Sequence, residues 1–178
     1  MTGIALQALQ HEDPTPVLRY FTVWSAVLVS VYGSGVLRRV PTPDGFMCTA
    51  GTAGAVMSGL VYLLAIAPQS GFGGAIMTVA ANVVLHVALP VVTVALYPYQ
   101  SHHLEGGRGA AIATLFPAIY ATTTLLASVV ADVDPVYSFL NSTKVGPIGV
   151  TAALLSGGLL YLGVLWVLGR LVKIRRTR

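Results

Sequence analysis

Residues 75–97 read AIMTVAANVVLHVALPVVTVALY, 23 positions without an Asp, Glu, Lys or Arg side chain. At a helical rise of about 1.5 Å per residue, this stretch is longer than the hydrocarbon core of a bilayer, about 30 Å thick. It is also too long and too apolar for a typical helix of a soluble protein. The stretch therefore predicts a transmembrane helix, and its most polar side chains, Asn82 and His86, become the first candidates for function.

Four further apolar stretches of similar length flank it, separated by polar or Pro- and Gly-rich breaks. Their approximate bounds are 17–37, 49–67, 110–131 and 148–168. We therefore expect an all-α, polytopic transmembrane helical bundle of five helices, forming one domain over residues 1–178 with a basic tail at 169–178.

Composition supports a membrane protein and argues against other classes. The chain is 55% hydrophobic and 9% charged, which lies outside the balance of soluble domains. Its net charge of +4 is concentrated beside apolar runs, with six of the ten Lys and Arg residues in two clusters at 38–39 and 170–176. Such clusters are typical of membrane flanks, so we expect membrane lipids as partners and no nucleic acid.

The distribution of positive charge predicts the orientation in the cell membrane. Alternate loops hold eight cationic residues against two, and positive residues are retained on the cytoplasmic side. Only Arg19 and Lys144 fall on the outer set, so the carboxyl terminus is expected in the cytoplasm. The apolar segment MTGIALQALQ at 1–10 also agrees with the carboxyl end of a preceding helix, and a sixth helix would place both termini inside.

Polar side chains at membrane depth are the candidate site residues. His86 and Asn82 lie one turn apart on one face of the third predicted helix, and Thr22 and Ser25 share a face of the first. In a functional interpretation His86 is a general base or a ligand-binding group, the hydroxyls of the first helix are complementary to it, and Asn82 and Ser25 orient substrate. The same groups can instead bond between helices or to helix carbonyls.

The predicted depths of Thr22 and His86 differ. Counted from the predicted helix starts, Thr22 lies about 7 Å and His86 about 16 Å below the outer surface. Direct hydrogen bonding between them therefore requires a tilt, a kink at Pro90 or shifted helix ends.

No metal or cofactor site is expected. The single cysteine, Cys48, allows no paired-cysteine motif. His102 and His103 are adjacent and therefore point in different directions, so together with Glu105 they favour a solvated loop over a metal site.

Glycines along the helices favour close packing, either within the bundle or in a homo-oligomer.

Three segments resemble a known family: LRYFTVWSAVLVSVYG at 18–33, NVVLHVALP at 82–90 and DPVYSFLNSTKVG at 134–146. The segments are similar to those of bacterial six-helix membrane proteins related to the eukaryotic androgen-induced membrane proteins, and their order along the chain also agrees. Those relatives are intramembrane threonine hydrolases that cleave fatty acid esters of hydroxy fatty acids. The resemblance implies Thr22 and His86 as catalytic residues, with the alternative of a non-catalytic lipid-binding, scaffold or accessory protein.

Overall fold

Five helical units follow one another along the part of the chain that the structure describes. The computed structural model describes residues 18–38, 45–70, 76–100, 106–131 and 133–177. The units are α1, Phe21–Arg38; α2, Gly45–Val61 continued by Tyr62–Ile66 and Ala67–Ser70; α3, Ile76–Val83 continued by Val84–Ala88 and Leu89–Leu96; α4, Gly106–Ala113 with Leu115–Val130; and α5, Ser142–Arg176. The predicted all-α helical bundle is confirmed.

Four of these units are long and apolar enough to cross a membrane, as expected for a multi-pass membrane protein. Their spanning parts are Gly45–Ile66, Thr78–Tyr99, Gly106–Val130 and Ser142–Arg176. The apolar part of α1 is shorter, Phe21–Gly35. The predicted basic tail is helical as far as Arg176, where α5 ends.

The bundle exposes apolar side chains and buries polar ones. Ile76, Ile148 and Val129 are each more than four-fifths exposed, whereas Ser25 and Thr22 are 0% and 3% exposed. A surface of this kind suits lipid rather than water, because apolar groups gain nothing from leaving a hydrocarbon solvent. The buried polar groups therefore mark where the helices meet.

Tyr161 joins three helices of the bundle. Its ring is fully buried on α5, and its hydroxyl donates to the carbonyl oxygens of Ala50 on α2 and Ala113 on α4, at 3.3 and 3.2 Å. A hydroxyl in a water-free interior needs such partners. These bonds fix α5 against α2 and α4 and leave the remaining side of α2 to α1 and α3.

Helices α2 and α3 approach each other closely at Gly59. A side-chain carbon added there would lie 2.6 Å from the carbonyl oxygen of His86 and 2.9 Å from the Pro90 ring. Pro90 has no N–H to bond the carbonyl four residues earlier, and the chain passes through a π-helical turn, Val84–Ala88, just before it. Gly59 thus allows α2 to pack directly against the irregular part of α3.

The segment 133–141 connects α4 to α5 and is held by side-chain bonds. Asn141 is buried; its side-chain oxygen accepts from the Thr143 N–H, and its amide donates to the Asp134 carboxylate at 2.9 Å. An Asn in this position caps the first turn of the helix that follows. Gly146, with φ of 71°, then turns the chain in a region that favours glycine, and the long run of α5 follows.

We expect Gly59→Ala to destabilise the protein. Alanine ordinarily favours a helix over glycine, but here its methyl group would meet backbone, and overpacking of this kind costs about 1–3 kcal/mol. The thermal midpoint in detergent should therefore fall. The control is Gly158→Ala on α5, where an added carbon meets nothing within 4 Å. Equal midpoints for the two variants would contradict the close approach described here.

Candidate functional site

A chain of three polar side chains crosses the interface between α1, α2 and α3. The hydroxyl oxygens of Thr22 and Ser58 are 2.7 Å apart, and the Ser58 hydroxyl lies 3.3 Å from Nδ1 of His86. All three residues are buried. Ser58 therefore lies between the two residues whose predicted depths did not match, and it closes the gap by hydrogen bonding.

Two π-helical turns face each other across this interface. Tyr62 begins the turn in α2, His86 lies within the turn in α3, and their rings are stacked with centroids 4.2 Å apart and planes 7° apart. π-Helical turns are rare among protein helices, and many of those that occur lie at functional sites. The stacking holds the imidazole ring in one plane and leaves its Nδ1 edge directed at Ser58.

A cavity of about 190 Å³ opens beside this chain. Its walls come from α1, α2, α3, the residue before α1 and the α4–α5 connection. The lining residues are Tyr20, Thr22, Tyr62, Ile66, Asn82, His86 and Tyr137. Polar groups from several elements thus converge on one small volume, and such convergence makes this cavity the candidate binding or catalytic site.

Two tyrosines cover the cavity at the end of the bundle where α1 begins. The rings of Tyr20 and Tyr137 meet edge to face, with centroids 6.1 Å apart. Burial raises the pKa of the Tyr137 hydroxyl, and a hydrogen-bonding interaction with the Thr22 side chain opposes that effect. Tyr137 therefore stays protonated at neutral pH and is a hydrogen-bond donor next to Thr22.

The cover is fastened to the ends of α1 and α4. The Arg19 side chain donates to the carbonyl oxygen of Asp134, and the Tyr120 hydroxyl of α4 donates to the carbonyl oxygen of Arg19 at 2.7 Å. Together with the Asn141 to Asp134 bond, these contacts hold the connecting segment over Thr22. The residues that close the cavity are thus fixed by partners outside it.

The structure brings together three of the four side chains that the sequence singled out. Thr22, Asn82 and His86 all line the cavity. Ser25 does not: it is fully buried, and its hydroxyl donates to the carbonyl oxygen of Phe21 at 2.9 Å. This is the bond to a helix carbonyl that the sequence analysis gave as the alternative, and it places Ser25 in the packing between α1 and α2.

Sequence reasoning missed Ser58 and Tyr62. Ser58 stands in a run of small residues, AGAVMSG at 53–59, which predicted close helix packing and nothing more. A signal was present in the spacing. Ser58 and Tyr62 are four residues apart, as are Asn82 and His86, so each pair occupies one face of its helix, and two such faces on consecutive helices are suited to meet.

The described residues offer no site for a metal ion. Within the ranges given above, no group of three His, Cys, Asp or Glu side chains is close enough to hold one. The sequence prediction for His102, His103 and Glu105 falls on residues outside those ranges. What the cavity does offer is a hydroxyl, an imidazole and hydrogen-bond donors, the set used in nucleophilic acyl transfer.

Comparisons of the chain with family models, curated proteins and solved structures return no match. The geometry of the cavity and the chemistry of its side chains are therefore the grounds on which a function is proposed.

Proposed function

We propose that this protein is an intramembrane hydrolase of lipid esters, in which Thr22 is the nucleophile and His86 the general base. The observation that supports the proposal is that both residues line one cavity and are linked by hydrogen bonds through Ser58. Covalent catalysis needs a path by which the proton of the nucleophilic hydroxyl reaches a base, and here that path has one intervening hydroxyl. The resemblance described above implies the same pair of residues.

The reaction would proceed through an acyl-threonine. The Thr22 oxygen attacks the ester carbonyl carbon, its proton passes to the imidazole, and the alcohol leaves with a proton returned from the imidazole. Water then attacks the acyl group in the same manner and releases the carboxylic acid. Apart from the ester and one water molecule, the steps use only groups that this chain supplies.

Asn82 and Tyr137 are suited to stabilise the charge that develops on the carbonyl oxygen. Both line the cavity with Thr22, and both side chains can donate a hydrogen bond. Fixed donors directed at a developing oxyanion contribute strongly where water is excluded. We assign this role to the two residues together.

The size of the cavity restricts what enters it. A cavity of about 150 Å³ admits benzene in a soluble protein, so the space here suits an ester group with a few carbons on each side. The remaining acyl chain would stay in the bilayer, which surrounds the exposed apolar faces of α2 and α3. Leu64 and Ile76, at 73% and 87% exposure, are among the residues on those faces.

We expect Thr22→Ala to abolish covalent labelling by a fluorophosphonate probe and to reduce hydrolysis of a fluorogenic fatty acyl ester in mixed micelles at least about 100-fold. Thr22→Ser, which retains a hydroxyl, should retain labelling. The control is Thr93→Ala, because Thr93 is buried on α3 and its hydroxyl donates only to helix carbonyls. Unchanged labelling of Thr22→Ala would exclude the mechanism.

A non-catalytic scaffold or lipid-binding protein would behave differently in the same assay. There the hydrogen-bonded chain through Ser58 would serve only to hold α1, α2 and α3 together. The wild-type protein would then show neither labelling nor hydrolysis, and His86→Ala would lower only the thermal midpoint.

We also propose that the end of the cavity lined by Tyr20 and Tyr137 lies on the outer side of the cell membrane and that the carboxyl end of α5 is cytoplasmic. The support is the excess of Lys and Arg in the loops on one side. Lys144 and Lys173, near opposite ends of α5, are both exposed, and the native Cys48 is buried.

A cysteine at each position tests this orientation. In intact cells, a membrane-impermeant maleimide should label Lys144→Cys, and it should label Lys173→Cys only after permeabilisation. The wild-type protein, with Cys48 alone, gives the background. The reverse labelling pattern would contradict the proposed orientation and place the cavity on the cytoplasmic side.

A further inference from the structure

Ser58 holds a position that neither the sequence pattern nor the resemblance assigns. It lies on α2, between Thr22 on α1 and His86 on α3, and its hydroxyl oxygen is within hydrogen-bonding distance of both. At 5% exposure it is buried. A hydroxyl in this position can accept one proton while donating another.

The position of the cavity distinguishes the two hydroxyls. Thr22 and His86 line the cavity, whereas Ser58 is not among the described residues that do. A substrate carbonyl therefore reaches Thr22 first, and Ser58 lies behind it. Thr22 is therefore the more accessible nucleophile, and Ser58 is the link between the nucleophile and the base.

We propose that Ser58 is the proton relay of the site, an inference that rests on the proposed hydrolase function. As the Thr22 oxygen bonds to the carbonyl carbon, the π electron pair of the carbonyl moves to its oxygen. The Thr22 proton passes to the Ser58 oxygen, and the Ser58 proton passes to Nδ1 of His86. When the tetrahedral intermediate collapses, the ester C–O bond breaks and the Ser58 proton passes to the departing alcohol oxygen, which is bonded to the same carbon as the Thr22 oxygen. The proton on Nδ1 of His86 then returns to Ser58.

The relay requires one tautomer of His86. Nδ1 must accept the hydrogen bond from Ser58, so the neutral ring carries its proton on Nε2. The stacked ring of Tyr62 fixes the plane of the imidazole, and the close approach of α2 to α3 at Gly59 fixes the distance. The 3.3 Å link is the longer of the two, and catalytic hydrogen bonds of this kind tighten when substrate is bound.

The kinetic test compares Ser58→Ala, Ser58→Thr and the matched control Thr93→Ala in the fluorogenic ester assay. Loss of proton transfer should lower kcat of Ser58→Ala about 100-fold or more while KM changes little. Ser58→Thr, which keeps a hydroxyl, should recover part of that loss, and Thr93→Ala should match the wild type. A Ser58→Ala kcat within about threefold of wild type would overturn the relay.

Nitrogen-15 NMR of histidine-labelled protein gives a second readout that does not depend on turnover. The His86 resonances, assigned by their loss in His86→Ala, should report a proton on Nε2 and an accepting Nδ1 in the wild type. They should change in Ser58→Ala and not in Thr93→Ala. A proton on Nδ1 would overturn the relay, even if Ser58→Ala fails to fold.

The two proposals fail in different ways. If Thr22→Ala is inactive but Ser58→Ala remains active, the relay is wrong and the hydrolase function stands. If the wild type has no activity, the hydrolase function is wrong. If Thr22→Ala keeps the wild-type rate, Thr22 is not the nucleophile. In both cases the relay is wrong as well.

Discussion

The structure depends on one constraint: polar groups inside a bundle that lies in hydrocarbon must find partners within the protein, because no solvent there can supply them. Thr22, Ser58 and His86 meet this constraint together, with one residue from each of three helices. The absence of a side chain at Gly59 lets α2 and α3 come close enough for the bonds to form. The same contacts that stabilise the bundle therefore assemble a hydroxyl and an imidazole beside a cavity.

The irregular parts of the helices are concentrated at this place. Both π-helical turns, Tyr62–Ile66 and Val84–Ala88, contribute residues to the cavity wall. Regular helices would direct the Tyr62 and His86 rings differently, and a regular α3 is disfavoured by Pro90. On the far side, the segment 133–141 places Tyr137 next to Thr22. The irregular turns of α2 and α3 and the segment 133–141 thus together supply residues that line the cavity.

The helices and most of the site could be predicted from the sequence, since apolar runs of membrane-spanning length and polar side chains within them are local features. Thr22, Asn82 and His86 were found in this way. Ser58 was not, because a serine among glycines and alanines also satisfies helix packing, and its role depends on which helix lies opposite. Ser25 shows the converse: it shares a helix face with Thr22, yet its hydroxyl bonds to the carbonyl of Phe21. From the depth difference between Thr22 and His86 we expected a tilt, a kink at Pro90 or shifted helix ends, whereas the structure links the two residues through Ser58.

The most direct test of this account is to locate the covalent adduct that a fluorophosphonate leaves on the wild-type protein. Trypsin separates the candidates, since Thr22 falls in the peptide 20–38 and Ser58 in the peptide 40–108. Tandem mass spectrometry of the two peptides should find the phosphonate on Thr22, the hydroxyl that faces the cavity. An adduct on Ser58, or no adduct on either peptide, would contradict the assignment of nucleophile and relay.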